Sequence, residues 1–377
     1  MLYRFKPPRI TYQSGKTCSD KPSHFSLTRS ALIVNGNPVK NTESITQMRS
    51  ININDLHFPV GPNGGVLTFH ERPLIMSSAK RYDLVMMEDN ENHFKLGLLL
   101  QGPLIKEYNF TIQSVLYYAN IYSELPLVLS TWATTVSSNS LGAIPANVQI
   151  IVNAEPLKSG PQNINRQIAS TLTGIRRLID MGCTHILKLR SDQRLYSKHF
   201  VEFLRALDKQ FPIFVKGKQK SRLIVPSLDS FKYRLCGLSD HMIFGSASDL
   251  LLLFECPFDG REQQDIEWEK ATNWRAYDKL NLCEVYLFRH FVDAVSAVQP
   301  KTLKQSWELV KDRFLIIDHS CLDILWPKYS TSEYRWRNYF AEKSRLHSEF
   351  SFSDWLILFS TLSEKWVVEE KILDEPF

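Results

Sequence analysis

Between Asn163 and Arg194 the spacing of apolar positions changes period, and the change marks a unit. Ile164, Ile168, Leu172, Ile175 and Ile179 step by 4, 4, 3 and 4, which sets them on one face of a helix over Asn163–Met181. Gly182 stands where a left-handed residue would end that helix. His185–Leu189 then reads as a short buried strand running into Arg190, Ser191 and Asp192. A helix, a tight turn and a strand that ends in a cation and a carboxylate make half of an α/β unit.

The same alternation extends to both sides. Strands are predicted at Lys95–Leu100, Leu127–Ser130 and Val148–Val152, with a helix over Phe110–Tyr122 capped by Asn109 or Thr111. Ser137–Asn147 reads as a polar loop. After Asp192 come a helix at Lys198–Leu207, strands at Leu223–Val225 and Met242–Phe244, and a helix at Ser246–Phe254. Leu282, Val285, Phe288, Val292 and Val295 predict a helix over Leu282–Val298, and Phe314–Ile317 a last strand before Asp318 and His319. This order predicts an α/β domain over residues 93–325, a mainly parallel sheet flanked by helices.

The flanks differ. Residues 1–92 hold Pro7-Pro8, Asn35-Gly36 and the cluster Gly61, Pro62, Asn63, Gly64 and Gly65, with strand-like runs at Ala31–Val34 and Leu84–Met87. That density of turn residues predicts a small β-rich extension or an irregular lead-in. Asn63-Gly64-Gly65 has no helix pattern after it and reads as a plain turn rather than a phosphate loop. Residues 326–377 carry Trp326, Trp336, Trp355 and Trp366 among many charges, and predict a helical tail packed on the core.

Composition narrows the class. The formal charge of +5 and pI near 8.7 are too weak and dispersed to imply a nucleic-acid partner, but suit anionic ligands or an anionic membrane surface. None of the six cysteines has the CxxC spacing of a zinc or redox site, so reduced thiols in a cytoplasmic protein are expected. No apolar run follows the first charged residues, so no secretory signal is expected, and no window nears the roughly 18 apolar residues of a membrane span.

Polar groups gather where the predicted strands end: Gln101, Ser130, Asn153, Arg190 with Asp192, and Asp318 with His319. In open α/β sheets ligands bind beyond that edge. Asp192 can hold Mg²⁺ or Mn²⁺ through one oxygen while phosphates complete the shell, or it can pair with Arg190 or Arg194. Lys188 and Arg190 share a strand face, and two cations there call for anions, from protein or from a diphosphate. Asn165 and Arg166 at the start of the long helix suit an anion and a base edge, or a plain exposed first turn. Asp240 and Glu284 are candidate bases for an attacking hydroxyl, although an acid in a first turn also serves the helix dipole. His319 is either a metal ligand or a hydrogen-bonded strand-end histidine.

The ordered runs LLLQGPL (98–104), LVLSTW (127–132), NINRQIASTLTGI (163–175) and ILKLRSDQRL (186–195) resemble the WavE lipopolysaccharide-synthesis family. SDHMIFG (239–245) and CEVYLF (283–288) agree with it, and the resemblance spans roughly residues 95–325. It implies a GT-A-like, Rossmann-type fold and a glycosyltransferase using a nucleotide-sugar donor, bound by the first half of the sheet; on the reading of the residues above, Gln101, Asn165 and Arg166 would hold the nucleotide, and Lys188, Arg190 and Asp192 the diphosphate. The acceptor would be a glycan or lipid-linked oligosaccharide in lipopolysaccharide or capsule synthesis, with peripheral contact at the inner face of the inner membrane. The resemblance sets Asp192 where GT-A enzymes carry an acidic DxD motif, but the triplet here is Arg190-Ser191-Asp192, so metal dependence stays open. Arg190 or Lys188 can neutralise the diphosphate instead. A sugar nucleotidyltransferase and a non-catalytic polysaccharide-assembly protein are the alternatives on the same fold.

Overall fold

The computed structural model describes residues 94–136, 144–326 and 348–376, with four two-residue strands nearer the N-terminus. The strand expected at Leu84–Met87, most of the turn clusters, residues 137–143 of the expected loop and Trp336 lie outside the described residues. The chain divides into two units, Met1–Met86 and Met87–Phe377. In the first, Ile33–Val34 pairs antiparallel with Asn37–Pro38, and Pro59–Val60 with Gly65–Val66. Asn35-Gly36 separates the first pair in sequence, the dipeptide that a two-residue hairpin turn prefers.

The second unit is built on a seven-stranded sheet. In chain order its strands are β1 (Leu96–Gln101), β2 (Leu127–Trp132), β3 (Val148–Asn153), β4 (His185–Arg190), β6 (Leu223–Pro226), β7 (Met242–Ser246) and β8 (Phe314–Ile317); the short β5 (Arg194–Leu195) and β9 (Ile324–Leu325) pair separately. The spatial order is β8-β6-β7-β4-β1-β2-β3. All neighbours are parallel except β7, which runs against both β4 and β6. The reversal matters for function: it brings the amino end of β7, with Asp240 and His241, to the edge where β1, β2 and β4 end. The helices are α1 (Phe110–Ile121), α2 (Ile164–Asp180), α3 (Phe200–Gln210), α4 (Ala247–Phe254), α5 (Trp274–Leu280), α6 (Cys283–Ala294), α7 (Leu303–Arg313) and α8 (Phe352–Ser360). The fold is the α/β, Rossmann-type sandwich expected.

Local chemistry explains the unit at the centre. β1 and β4 are covered on both faces, so they read as apolar runs rather than alternating ones. Ile164, Ile168, Ile175 and Leu178 of α2 are buried against the sheet, and truncating one such residue to alanine costs about 2–5 kcal/mol. α2 ends in a Schellman motif: Gly182 N–H donates to the Ile179 carbonyl and Cys183 N–H to that of Leu178, with Gly182 at φ 81°. The polar face of α2 also has a structural task. Ser170 receives the Gln101 amide, and Thr173 bonds with Ser130 and Asn153, so the ends of β2 and β3 are sealed.

Two elements run differently from their predicted spans. α6 stops at Ala294 rather than Val298, where Ser296 turns to φ 54° and Val298 is exposed. α5 and α7 carry no long apolar stripe, and their sequences gave no helical signal. After residue 347 the chain returns through α8, whose first turn is closed by a reciprocal Ser351–Asp354 cap. The Trp355 ring is fully buried and its indole donates to the Phe314 carbonyl at 2.8 Å, fixing the tail to β8.

Candidate functional site

A cleft of about 1160 Å³ opens at the carboxyl edge of the sheet, lined from the ends of β1, β2 and β4, the starts of α2 and α6, and the turn before β7. Its floor is set by a close approach. Gly102 at φ 132° lies against Ser191, and a Cβ on it would come within 2.5 Å of the Ser191 hydroxyl. Ser191 in turn donates from its backbone to Gln101 and from its hydroxyl to Pro103. The loops after β1 and β4 are thereby locked together.

Arg190 and Asp192 stand on that floor. The guanidinium meets the carboxylate side-on, Nε to Oδ1 at 2.9 Å and Nη2 to Oδ2 at 2.8 Å, and its face lies 5.3 Å from the Trp326 ring. Trp326 also donates to Asp192 Oδ2 at 3.1 Å. Burial alone would raise the Asp192 carboxyl, but the Arg190 bonds, its charge and the Trp326 bond hold it below the usual carboxylate range. Nη1 of Arg190 makes no hydrogen bond among the described residues.

The rest of the cleft divides into two walls. On the first, Gln101 ends β1, and Arg166 pairs with Glu155 at 2.8 Å, itself bonded by Thr134. Tyr108, 97% exposed and at φ 52°, stands at this side of the mouth. On the second, Arg234 pairs with Glu284 at 2.6 Å, and Asp240 lies among His241, Gln167 and Cys283. Burial would raise Asp240, yet His241, Lys188, Arg190 and Gln167 together hold it well below the usual carboxylate range. Burial pushes the Cys283 thiol well above its ordinary value, and the neighbouring carboxylates add to this, so it stays an inert thiol. His241 is held at both nitrogens, Nε2 by Asp229 and Nδ1 by the Gln193 amide, each at 2.8 Å.

Three expected site residues lie elsewhere. Lys188 is fully buried; its ammonium donates to the Asp240 carbonyl at 2.6 Å, and burial pushes it down to about 8. It faces the interior behind Asp240 because the middle of β4 is covered on both sides, so it does not reach a ligand. Asn165, 1% exposed, donates to the Lys158 and Asp259 carbonyls and accepts from Asp259 N–H, pinning two loops together. His319 bonds Ser227 at 2.8 Å and starts a short turn away from the cleft. Gln101, Arg166, Arg190, Asp192, Asp240 and Glu284 are brought together as expected. Asp229, Arg234, His241 and Trp326 were missed. Arg234, a lone charge in the run Tyr233–Leu238, was the one with a readable signal.

Both oxygens of Asp192 are engaged by Arg190 or Trp326, His319 does not line the cleft, and no three histidine, cysteine or acidic side chains cluster for a metal among the described residues.

Residues 97–372 match the WavE lipopolysaccharide synthesis family. The chain belongs to that family. No curated protein matches it. The WavE match starts in β1 and runs through the returning tail, well past residue 325 where the resemblance read from motifs had ended. It gives the protein a role in lipopolysaccharide synthesis. Each of the four runs that carry the WavE resemblance delivers a residue to the cleft: Gln101, Trp132, Arg166 and Arg190. No described helix is long and apolar enough to cross a membrane.

Proposed function

We propose that this WavE-family protein is a glycosyltransferase. It moves a sugar from a nucleotide-sugar donor to a glycan or lipid-linked acceptor in lipopolysaccharide or capsule synthesis. One observation carries the reading: Arg190, clamped side-on by Asp192 and covered by Trp326, stands at the floor of the carboxyl-edge cleft with no hydrogen bond at Nη1 among the described residues. A side-on pair fixes the guanidinium plane and leaves its other edge free for an oxyanion. The volume of about 1160 Å³ exceeds what one small ligand usually needs and leaves space for donor and acceptor together.

The chemistry follows from where charge grows. As the glycosidic bond to the donor breaks, negative charge builds on the departing diphosphate. A cation already oriented there stabilises the transition state more than the ground state. Arg190 supplies that cation, and Asp192 is a positioning residue that holds it. No step in this scheme runs through a metal. Arg166 and Gln101 on the first wall hold the nucleotide, and Tyr108 offers its ring at the mouth. Asp240 and Glu284 both reach the cleft. Asp240 is buried and accepts from the Cys283 thiol, whereas the Glu284 side chain is the more open of the two to the cleft, so Glu284 takes the proton from the acceptor hydroxyl in an inverting reaction. A lipid-linked acceptor would place the protein in the cytoplasm, at the inner face of the inner membrane.

The test is a thermal-shift screen of the full chain against UDP-, GDP-, CMP- and dTDP-sugars, with Mn²⁺ or with EDTA, followed by product analysis. A native-state ligand raises the melting temperature, by an amount that grows with its concentration over Kd. The reading expects one donor class to shift the transition in EDTA and to release a free nucleoside phosphate. Pyrophosphate exchange without sugar transfer would point to a nucleotidyltransferase, and no shift with any donor would point to an assembly protein.

A further inference from the structure

We infer that the second wall, formed by α5, α6 and the turn before β7, is a subsite for one uncharged pyranose ring, held by the Arg234–Glu284 pair and the aromatic rings around it. Naming that ring the acceptor rests on the transferase reading; the subsite itself does not.

Arg234 is the anomaly that points there. It is 3% exposed, and only Nη1 is paired, to Glu284. Nε and Nη2 make no hydrogen bond among the described residues. Burying unused donors on a cation is costly, because folding strips their water and returns nothing. The ion is held by rings instead: Tyr277 at 4.4 Å, Trp274 at 5.5 Å and Phe231 at 5.9 Å from the guanidinium carbon. All three rings, Arg234 and Glu284 line the cleft.

A sugar ring has apolar C–H faces and a rim of hydroxyls that both donate and accept. It needs flat aromatic surface with a pure donor and a pure acceptor beside it, and guanidinium and carboxylate are those two groups. The charge balance selects the class of sugar. Glu284 already neutralises Arg234. The other two carboxylates of the wall are also partnered: Asp229 meets His241 at 2.8 Å, and Asp240 lies near Lys188 and Arg190. A carboxylate or phosphate on the ring would find no cation without a carboxylate beside it and would still lose its own water, whereas hydroxyls need no counter-charge.

The experiment is saturation-transfer NMR on the full chain, with methyl α-D-glucopyranoside, -mannopyranoside and -galactopyranoside against glucuronic acid and glucose 6-phosphate. Each is run with and without UDP, GDP or CDP. At least one neutral glycoside should bind, about tenfold or more tighter than the anionic rings. Tyr277→Ala and Glu284→Gln should each weaken it about fivefold or more, with nucleotide binding unchanged. If Tyr277→Ala lowers the melting temperature sharply, Tyr277→Leu keeps the bulk and removes the ring face. Anionic rings binding as well as neutral ones, neutral binding that survives loss of the Tyr277 ring, or no glycoside bound at all would each overturn the subsite. Glycoside binding with no nucleotide bound would overturn the transferase reading and leave the subsite standing; nucleotide binding without glycosides would do the reverse.

Discussion

The two walls of the cleft each carry an arginine–carboxylate pair, yet the pairs sit in different surroundings. On the first wall and the adjoining floor, the guanidiniums of Arg166 and Arg190 remain partly exposed, with side-chain accessibilities of 44% and 29%. Each has a carboxylate that orients it and donors left for a ligand. On the second wall Arg234 lies under aromatic rings, and the groups turned to the cleft include Asp229, Asp240 and Glu284. Partly solvated cations can receive an anion without first breaking a buried pair, whereas a buried pair gives up its partner only at a cost. On the reading proposed above, the same two residue types serve an anion on one wall and hydroxyls on the other, and burial makes the difference.

The strongest way to break this contrast is at Arg190. Arg190→Gln should lower sugar transfer by about 10²–10³-fold, the usual effect of losing one donor to a developing oxyanion, with the melting temperature little changed. Arg190→Lys should rescue little, because an ammonium cannot make the side-on pair with Asp192. Asp192→Asn should fall between the two, since it leaves the cation and loosens its aim. Turnover near wild type in Arg190→Gln would remove the first wall from the chemistry. Next in size is Glu284→Gln on the second wall. A lost general base costs about 10²-fold or more in turnover. Nucleotide affinity should stay as it was; if affinity falls and turnover does not, the walls have been assigned the wrong way round.

How legible these walls were in the sequence follows from what periodicity records. The sheet and α2 were readable because one covered face repeats along each: Ile164, Ile168 and Ile175 are all buried, and Phe314–Ile317 is a strand over the residues expected. Gln101, Arg190 and Asp192 were readable because strand ends in such a sheet meet at one edge. Lys188 was misread because a charge in an apolar run suggests a ligand, whereas this one donates to the backbone carbonyl of Asp240 just before β7, 52 residues away in sequence. Asn165 looked like a base-edge reader; its partner Asp259 is 94 residues on. Arg234, Asp229 and Trp326 meet only through tertiary contacts, and no local spacing encodes them.

Lys188 gives the next prediction, and its sign can be worked out. The unfolded chain keeps the Lys188 proton up to its ordinary 10.5, and the folded protein releases it at about 8. Between those values unfolding takes up a proton, so stability rises with pH. Other buried groups titrate at the top of this window, so the comparison is with Lys188→Met. From pH 8 to 10 the wild type should gain about 2 kcal/mol relative to that variant, read from urea midpoints. A flat difference would mean that Lys188 stays charged in the fold and that a carboxylate of the second wall reaches it.

The smallest effect should come from Arg166. It pairs with Glu155 on an exposed rim, and such pairs contribute about 0–1 kcal/mol. Arg166→Ala should therefore leave stability almost unaltered and weaken nucleotide binding about three- to tenfold, seen in KM rather than kcat. The salt dependence sharpens the test. Attraction between an exposed guanidinium and a diphosphate is screened over about 8–10 Å at physiological ionic strength. The wild-type advantage over Arg166→Ala should shrink as salt is added, whereas the Arg190 advantage should persist, because its partner carboxylate and Trp326 hold it in a drier place. Equal salt sensitivity of the two would mean that Arg190, too, meets its ligand in open solvent, and that the clamp around it orders the fold rather than the reaction.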